Sequence, residues 1–206
     1  MLASQIINKA RILLTDPDGV RWSDADLLGW LNSAQLQVVA VRPDAKATKT
    51  DLALVPGVEQ AIPANGTKLL DVVRNATGRA VTLISRDQLS AYDPDWYSAT
   101  GSTVIKHYTF DDTDPKSFEV FPPAAAGAKV RLLYAAIPTD CAELTSTVDL
   151  DAIYEGPLID FVCYRAWSQD SDSPSDSSSA ANAISTFMQA LTGKTQSDQA
   201  TRPARK

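Results

Sequence analysis

Histidine occurs once in this chain, at His107, and cysteine twice, at Cys141 and Cys163. That scarcity, with no CxxC pair, argues against both a disulfide framework and a zinc site. Long apolar runs are missing too: the longest, Leu132 to Ile137, falls far short of the roughly 20 residues a membrane-spanning helix requires. Gln5, Asn8 and Lys9 stand where a secretion signal would be apolar, so no membrane or secretion signal is expected, and reduced folding in the cytosol is. Positive charge is in deficit, with 19 Lys and Arg against 25 Asp and Glu, a net charge of −6 and a pI near 4.7. A protein that grips nucleic acid neutralises phosphates with clustered cations, so direct DNA binding is not expected.

Catalytic fingerprints are equally scarce. There is no GxSxG elbow, no P-loop and no GxGxxG. Cys163 lies within an apolar helical pattern, where a thiol is inert, which disfavours a dyad of His107 with either cysteine. Asp111, Asp112 and Asp114 are spaced like the start of a calcium loop but lack its Gly at the sixth position and its Glu at the twelfth, so a solvated turn before Pro115 is the better reading. Asp93-Pro94-Asp95 reads as helix-stop punctuation, and nothing marks two of the 25 acids as a glycosidase pair. No catalytic residue, metal ligand or cofactor is assigned. The chain is not expected to be an enzyme, a cell-wall hydrolase being the alternative that class would offer.

What is present is a well-specified pattern of elements, and with 44% hydrophobic residues the chain can bury a sizeable core in one domain or two small ones. Ile6, Ala10 and Leu13, with Ile7 and Leu14, recur at helical spacing from Leu2 to Leu14, ahead of the turn-forming Thr15-Asp16-Pro17-Asp18-Gly19. Ser23 then stands as an N-cap with Asp26 in the capping-box position, and Asp24 and Asp26 favour the positive end of the helix dipole. Leu27, Leu31, Ala34, Val38 and Val41 form one stripe, and Pro43 ends the helix. Trp22 ahead of the cap and Trp30 within the helix read as core.

After Pro43 the pattern becomes short strands. Lys49 to Val55 and Val58 to Ile62 around Pro56-Gly57 read as a hairpin, and Leu69 to Arg74 with Arg79 to Ile84 as a second pair. Ser85 can cap a short helix through Tyr92, followed by a connection from Asp93 to Ser102. Val104 to Phe110, Ser117 to Phe121 and Lys129 to Ala136 form a third block, with Val130, Leu132, Tyr134 and Ala136 on one face by period two. Helix returns at Tyr154 to Ser168, apolar nearly all round, and at about Ser177 to Leu191, where Ala180, Ile184, Phe187, Met188 and Leu191 form a stripe. Gly193 is placed as a C-terminal stop, and the SQDSDSPSDSSS stretch between these helices reads as a polar loop.

Helices at both ends and strands in the middle predict an α+β fold, a helical bundle of N- and C-terminal helices carrying an inserted, mainly antiparallel β domain. The boundaries are 1–43 and 139–193 for the bundle, 44–138 for the β domain and 194–206 for a flexible tail. From Asp149 to Asp176 seven acids face Arg165 alone, whereas the last thirteen residues carry Lys194, Arg202, Arg205 and Lys206 against Asp198. This basic arm is either a terminus kept soluble by charge or a peptide that docks on an acidic partner. Tyr92, Trp96, Tyr97, Tyr108 and Phe110 are either an aromatic platform for a partner or sugar, or filling for the β layer, which is the favoured reading. Trp96, beside Pro94 in a polar loop, is singled out as an exposed interface anchor.

The run DPDGVRWSDADLLGWLNSAQ with its closing RPDA resembles the adaptor proteins that join head to tail in tailed bacteriophages. So, in the same order, do LLDVVRNATGRAVTLISRDQLSAYDPDWY (69–97), HYTFDDTDPKSFEVFPPAAAG (107–127) and PLIDFVCYRAWSQDSD (157–172). The resemblance implies a structural virion protein of the neck, assembled in the host bacterial cytoplasm as a ring, a dodecamer, under the portal protein. It implies further partners in the next tail or nozzle protein, and DNA that passes through without specific binding, as negative walls would permit. Candidate interface residues are Tyr92, Trp96 and Tyr97, from their aromatic character, and Lys194, Arg202, Arg205 and Lys206 of the tail, which the family analogy directs toward the portal. The alternative is a tail-associated module recognising a host-surface glycan through the aromatics from Tyr92 to Tyr97.

Overall fold

The computed structural model describes residues 1–169 and 174–201 and divides into two compact units, one of residues 1–45 and 138–206 and the other of residues 46–137. The fold is α+β, with five α-helices and mostly antiparallel sheets among the described residues.

In the first unit, α1 (Ala3–Leu13) and α2 (Asp24–Val41) precede α4 (Glu155–Gln169) and α5 (Pro174–Thr201). The Ser23 hydroxyl accepts the Asp26 backbone N–H and donates to the Asp26 carboxylate at 2.6 Å, so the cap forms as its spacing predicts. Helix α4 packs against α1, α2 and α5, and a helix with three neighbours needs apolar residues on most of its surface. Leu158, Phe161, Val162, Cys163 and Ala166 are buried, and the Phe161 ring meets Phe187 of α5 at 5.3 Å. Trp22 and Trp30 are buried edge to face at 5.6 Å, which bears out their reading as core.

Polar residues of α2 organise the segment that precedes α4. Asn32 accepts the Cys141 N–H at 2.8 Å and donates to the Cys141 carbonyl, while Gln35, 1% exposed, accepts the Asp149 N–H. The chain start is tied to the same segment, Ala3 and Ser4 donating to the Ser146 and Leu144 carbonyls. A buried amide without such partners would cost about 1–3 kcal/mol, so these contacts are why α2 tolerates Gln35 at a buried position.

Two helix boundaries differ from expectation. Helix α5 begins at Pro174, inside the stretch read as loop, because proline suits the first helical position, where its missing N–H would have no intrahelical partner. It also continues past Gly193 to Thr201 instead of stopping. A mid-helix glycine costs only about 1 kcal/mol relative to alanine, and no proline intervenes until Pro203.

The second unit holds two sheets. Strands β1 (Ala47–Ala53), β7 (Lys129–Ala136) and β3 (Gly66–Asn75) form one, in the order β1-β7-β3, all antiparallel. The other runs β2-β6-β5-β4, from Gly57–Ala61, Ser117–Ala124, His107–Thr109 and Thr82–Leu83, with only the β4–β5 pair parallel. Val130, Leu132, Tyr134 and Ala136 of β7 are buried in a core shared with Leu69, Val72, Ile105, Phe118 and Val120.

Neither expected hairpin forms. Buried Gln60 accepts the Val55 N–H at 2.9 Å and donates to the Val55 and Gly57 carbonyls, holding a turn from which β1 and β2 enter different sheets. Asn75, 1% exposed, donates to the Arg79 and Ile105 carbonyls and accepts the Ile105 N–H at 2.8 Å. That knot leaves the second pair a single bridge, Arg74 to Ala80, and β4 lies against β5 instead.

Candidate interaction surface

The aromatic stretch begins as expected, with Ser85 capping α3 (Arg86–Tyr92) by accepting the Gln88 N–H. Leu89 is buried and fixes the helix to the unit, while Tyr92 at its end is 86% exposed. Trp96 follows in a single 3-10 turn, and the structure corrects its reading: it is 0% exposed, not an exposed anchor. Its indole N–H donates to Ser90 Oγ at 3.2 Å, its edge meets the Phe121 ring at 6.4 Å and Tyr97 stacks on its face at 3.9 Å. The polar neighbours that suggested exposure form the turn, and the apolar contacts come from β6, far along the chain. Burying an indole with a satisfied N–H is the favourable outcome for so large an apolar surface.

Tyr97 is half-exposed over this base, and its hydroxyl donates to Glu119 Oε1 at 3.3 Å. Glu119 Oε2 accepts from Arg86 Nε at 2.9 Å and from Thr109 Oγ1 at 2.7 Å. Burial, then the Glu119 charge, pushes the Tyr97 phenol up, and the hydrogen bond to Glu119 raises Arg86. Arg86, Thr109 and Glu119, with Glu59, Asp111 and Ser117, line an open cleft of about 310 Å³.

Tyr108 and Phe110 do not join a platform with Tyr92. Tyr108 is buried with its hydroxyl donating to Asp71 at 2.9 Å, and Phe110 packs against the core with the Lys68 ammonium 5.9 Å from its ring centre. Asp111 folds its own turn by accepting the Thr113 N–H and hydroxyl, which lowers its pKa. Among the described residues no group of three or more His, Cys, Asp or Glu is placed to hold a metal ion. His107 contacts Thr82 Oγ1 through Nδ1 at 2.6 Å, and burial, then Lys106 and Arg79, lowers its pKa. Both cysteines are buried and free; desolvation pushes the Cys163 thiol up to about 12, leaving it protonated and a poor nucleophile.

A network absent from the sequence reading sits between α1 and α2. Arg11, 7% exposed, donates to the Asp16 carboxylate at 3.0 Å, the Trp22 carbonyl at 2.9 Å and the Asp24 carboxylate at 2.7 Å. Asp16 accepts the backbone N–H groups of Val20, Arg21 and Trp22. Burial pulls the Asp16 pKa upward, but those hydrogen bonds and the Arg11 charge outweigh it and hold it below its usual value. Gly19 lies at φ +67°, where a Cβ would stand 3.0 Å from the guanidinium, so the turn needs glycine on both counts. The available signal was Asp16 opening a Pro-Asp-Gly turn, a position from which a carboxylate commonly accepts the backbone that follows.

Lys194 is part of α5, its side chain outside the described residues, as are Arg202, Arg205 and Lys206. The surface the structure does describe is therefore Tyr92, Tyr97 and the acidic cleft around Glu119. No described helix is long and apolar enough to cross a membrane. The family model described as SU10 adaptor protein matches residues 1–206. No curated protein matches the chain.

Proposed function

The chain belongs to the SU10 adaptor protein family, and from that footing we propose that it is a structural protein of a tailed-phage virion, joining head to tail. The observation that carries this reading is the family match, which spans the chain from end to end and not one of its units alone. In the proposed role, copies assemble as a ring, a dodecamer, beneath the portal protein, present a surface to the next tail or nozzle protein and leave a passage for DNA. The helical unit serves as a bundle into which the β unit is inserted, offering side faces to neighbours and ends to axial partners. A ring needs two different complementary patches on each subunit, and two units of unlike composition can supply them. The net charge of −6 suits a conduit, since acidic walls repel phosphate.

The role is binding and not catalysis. Residues 194–206 reach the portal through their cations, and Tyr92 with Tyr97 contacts a neighbour. The glycan reading keeps only those two tyrosines, because a sugar platform would have used the buried Trp96. Averaged electron micrographs of portal particles from the same genome, mixed with this chain, test the proposal: an added ring layer supports it, and bare portals at every protein concentration overturn it. Truncation after Gly193 keeps Leu191, buried in α5, so the shortened chain is expected to fold and to lose portal attachment. Undiminished attachment would remove the tail from the account.

A further inference from the structure

We propose that β1 is a pairing edge whose free side takes β1 of a second copy of this chain, antiparallel and centred on Thr50. This pairing is independent of the adaptor role. Among the described residues, strand β1 ends its sheet and pairs only with β7, in unbroken register from Ala47 opposite Ala135 to Ala53 opposite Lys129. Just beyond it, the Leu54 N–H donates to the Ala128 carbonyl at 2.9 Å. Because an antiparallel ladder alternates, the even-numbered residues of β1 bond to β7, and the N–H and C=O groups of Ala47, Lys49, Asp51 and Ala53 point away from it.

The other edges are blunted. Strand β3 shifts register three times, β2 is interrupted between Gly57 and Glu59, and β4 has two residues. Bulges and short strands are the usual means by which sheet edges avoid addition. Among the described strands β1 is the long, regular, proline-free edge. A lysine on an edge ordinarily deters pairing, but here Asp51 lies two residues further along the same exposed face. In an antiparallel self-pairing about Thr50, each Lys49 falls opposite the Asp51 of the other copy, and Ala47 opposite Ala53. Opposite charges directly across an antiparallel pair attract, and the small alanines admit close approach. Arg131 already holds Asp51 in place through two hydrogen bonds of 2.8 and 3.0 Å, so its carboxylate is ionised and oriented before a partner arrives.

Such a pair forms about eight backbone hydrogen bonds, two for each hydrogen-bonded residue pair. It uses the same edge on both copies and therefore closes at two. A strand edge alone buries less than the roughly 1,000 Å² expected of a stable interface, so the association is weak and depends on concentration.

Sedimentation velocity of the full chain from about 1 to 200 µM, a range that brackets weak association, is expected to show a monomer–dimer shift. Lys49→Glu sets like charges opposite each other and should weaken the dimer at least tenfold, as should Asp51→Lys. Mixing the two variants should restore pairing, as a heterodimer. Thr50→Cys places a thiol at the two-fold axis in a non-hydrogen-bonded pair, where opposed Cβ atoms stand about 4.5–5.5 Å apart, so mild oxidation should link two copies while the buried Cys141 and Cys163 stay out of the reaction. A chain that stays monomeric at the highest concentration with Thr50→Cys unlinked, or a dimer indifferent to Lys49→Glu, overturns the proposal. Portal binding by Lys49→Glu reads the adaptor role separately from this pairing.

Discussion

Trp96 carries the sharpest expectation at the residue scale, because its indole is enclosed by Phe121, Tyr97 and Ser90. Trp96→Ala should cost about 3–5 kcal/mol in denaturant unfolding, the usual loss for a buried aromatic. Tyr92→Ala, at an 86% exposed position, should stay within about 0.5 kcal/mol. Equal costs for the two would contradict the burial described. Trp96 was misread because its sequence neighbours, Asp93, Pro94, Asp95 and Ser98, are polar, whereas burial is decided by a strand more than twenty residues away. Arg11 escaped the sequence reading for a related reason, since helical spacing places an arginine but does not name its partners. Asp16 gives that network a pH signature. Its folded pKa lies below the usual 3.8, so its stabilisation is complete above that value and is lost as pH falls through the folded pKa. The melting temperature of the helical unit should therefore drop below about pH 4, and Asp16→Asn should lower it at pH 7 while flattening the acid dependence. An acid profile unchanged in Asp16→Asn would remove that residue as the cause. Asp51 has the same sign in the β unit, held low by its hydrogen bond from Arg131.

At the scale of elements, α5 separates two accounts of Gly193 by the sign of one substitution. In mid-helix, with no atom within 4 Å of an added Cβ, Gly193→Ala should stabilise the helix by about 0.5–1 kcal/mol. As a left-handed C-cap the same change would destabilise it. Circular dichroism melts of the two chains decide between them. Helices α2 and α3 were legible because a cap and a period are local: Ser23 with Asp26, and Ser85 with Gln88, sit within one turn. The existence of β6 and β7 was legible from alternation, but strand partners were not. Pairing depends on residues such as Gln60 and Asn75, whose side chains bond backbone in other segments and whose effect no local pattern encodes.

At the scale of the whole molecule, the α+β class followed from helical periods at both ends and strand periods between them, and the chain's membership of the SU10 adaptor family accords with ordered resemblance over several segments. The candidate surface was only partly legible. Tyr92 and Tyr97 are exposed, but the Glu119 cluster with Arg86 and Thr109 assembles from three separated stretches and left no motif to read. The proposed assembly beneath a portal is tested most directly by the native mass of the purified chain alone and after mixing with the portal protein of the same genome. A structural adaptor should give a complex whose mass adds this chain to the portal in matching copy number. Separate, unchanged masses across salt and concentration would contradict it.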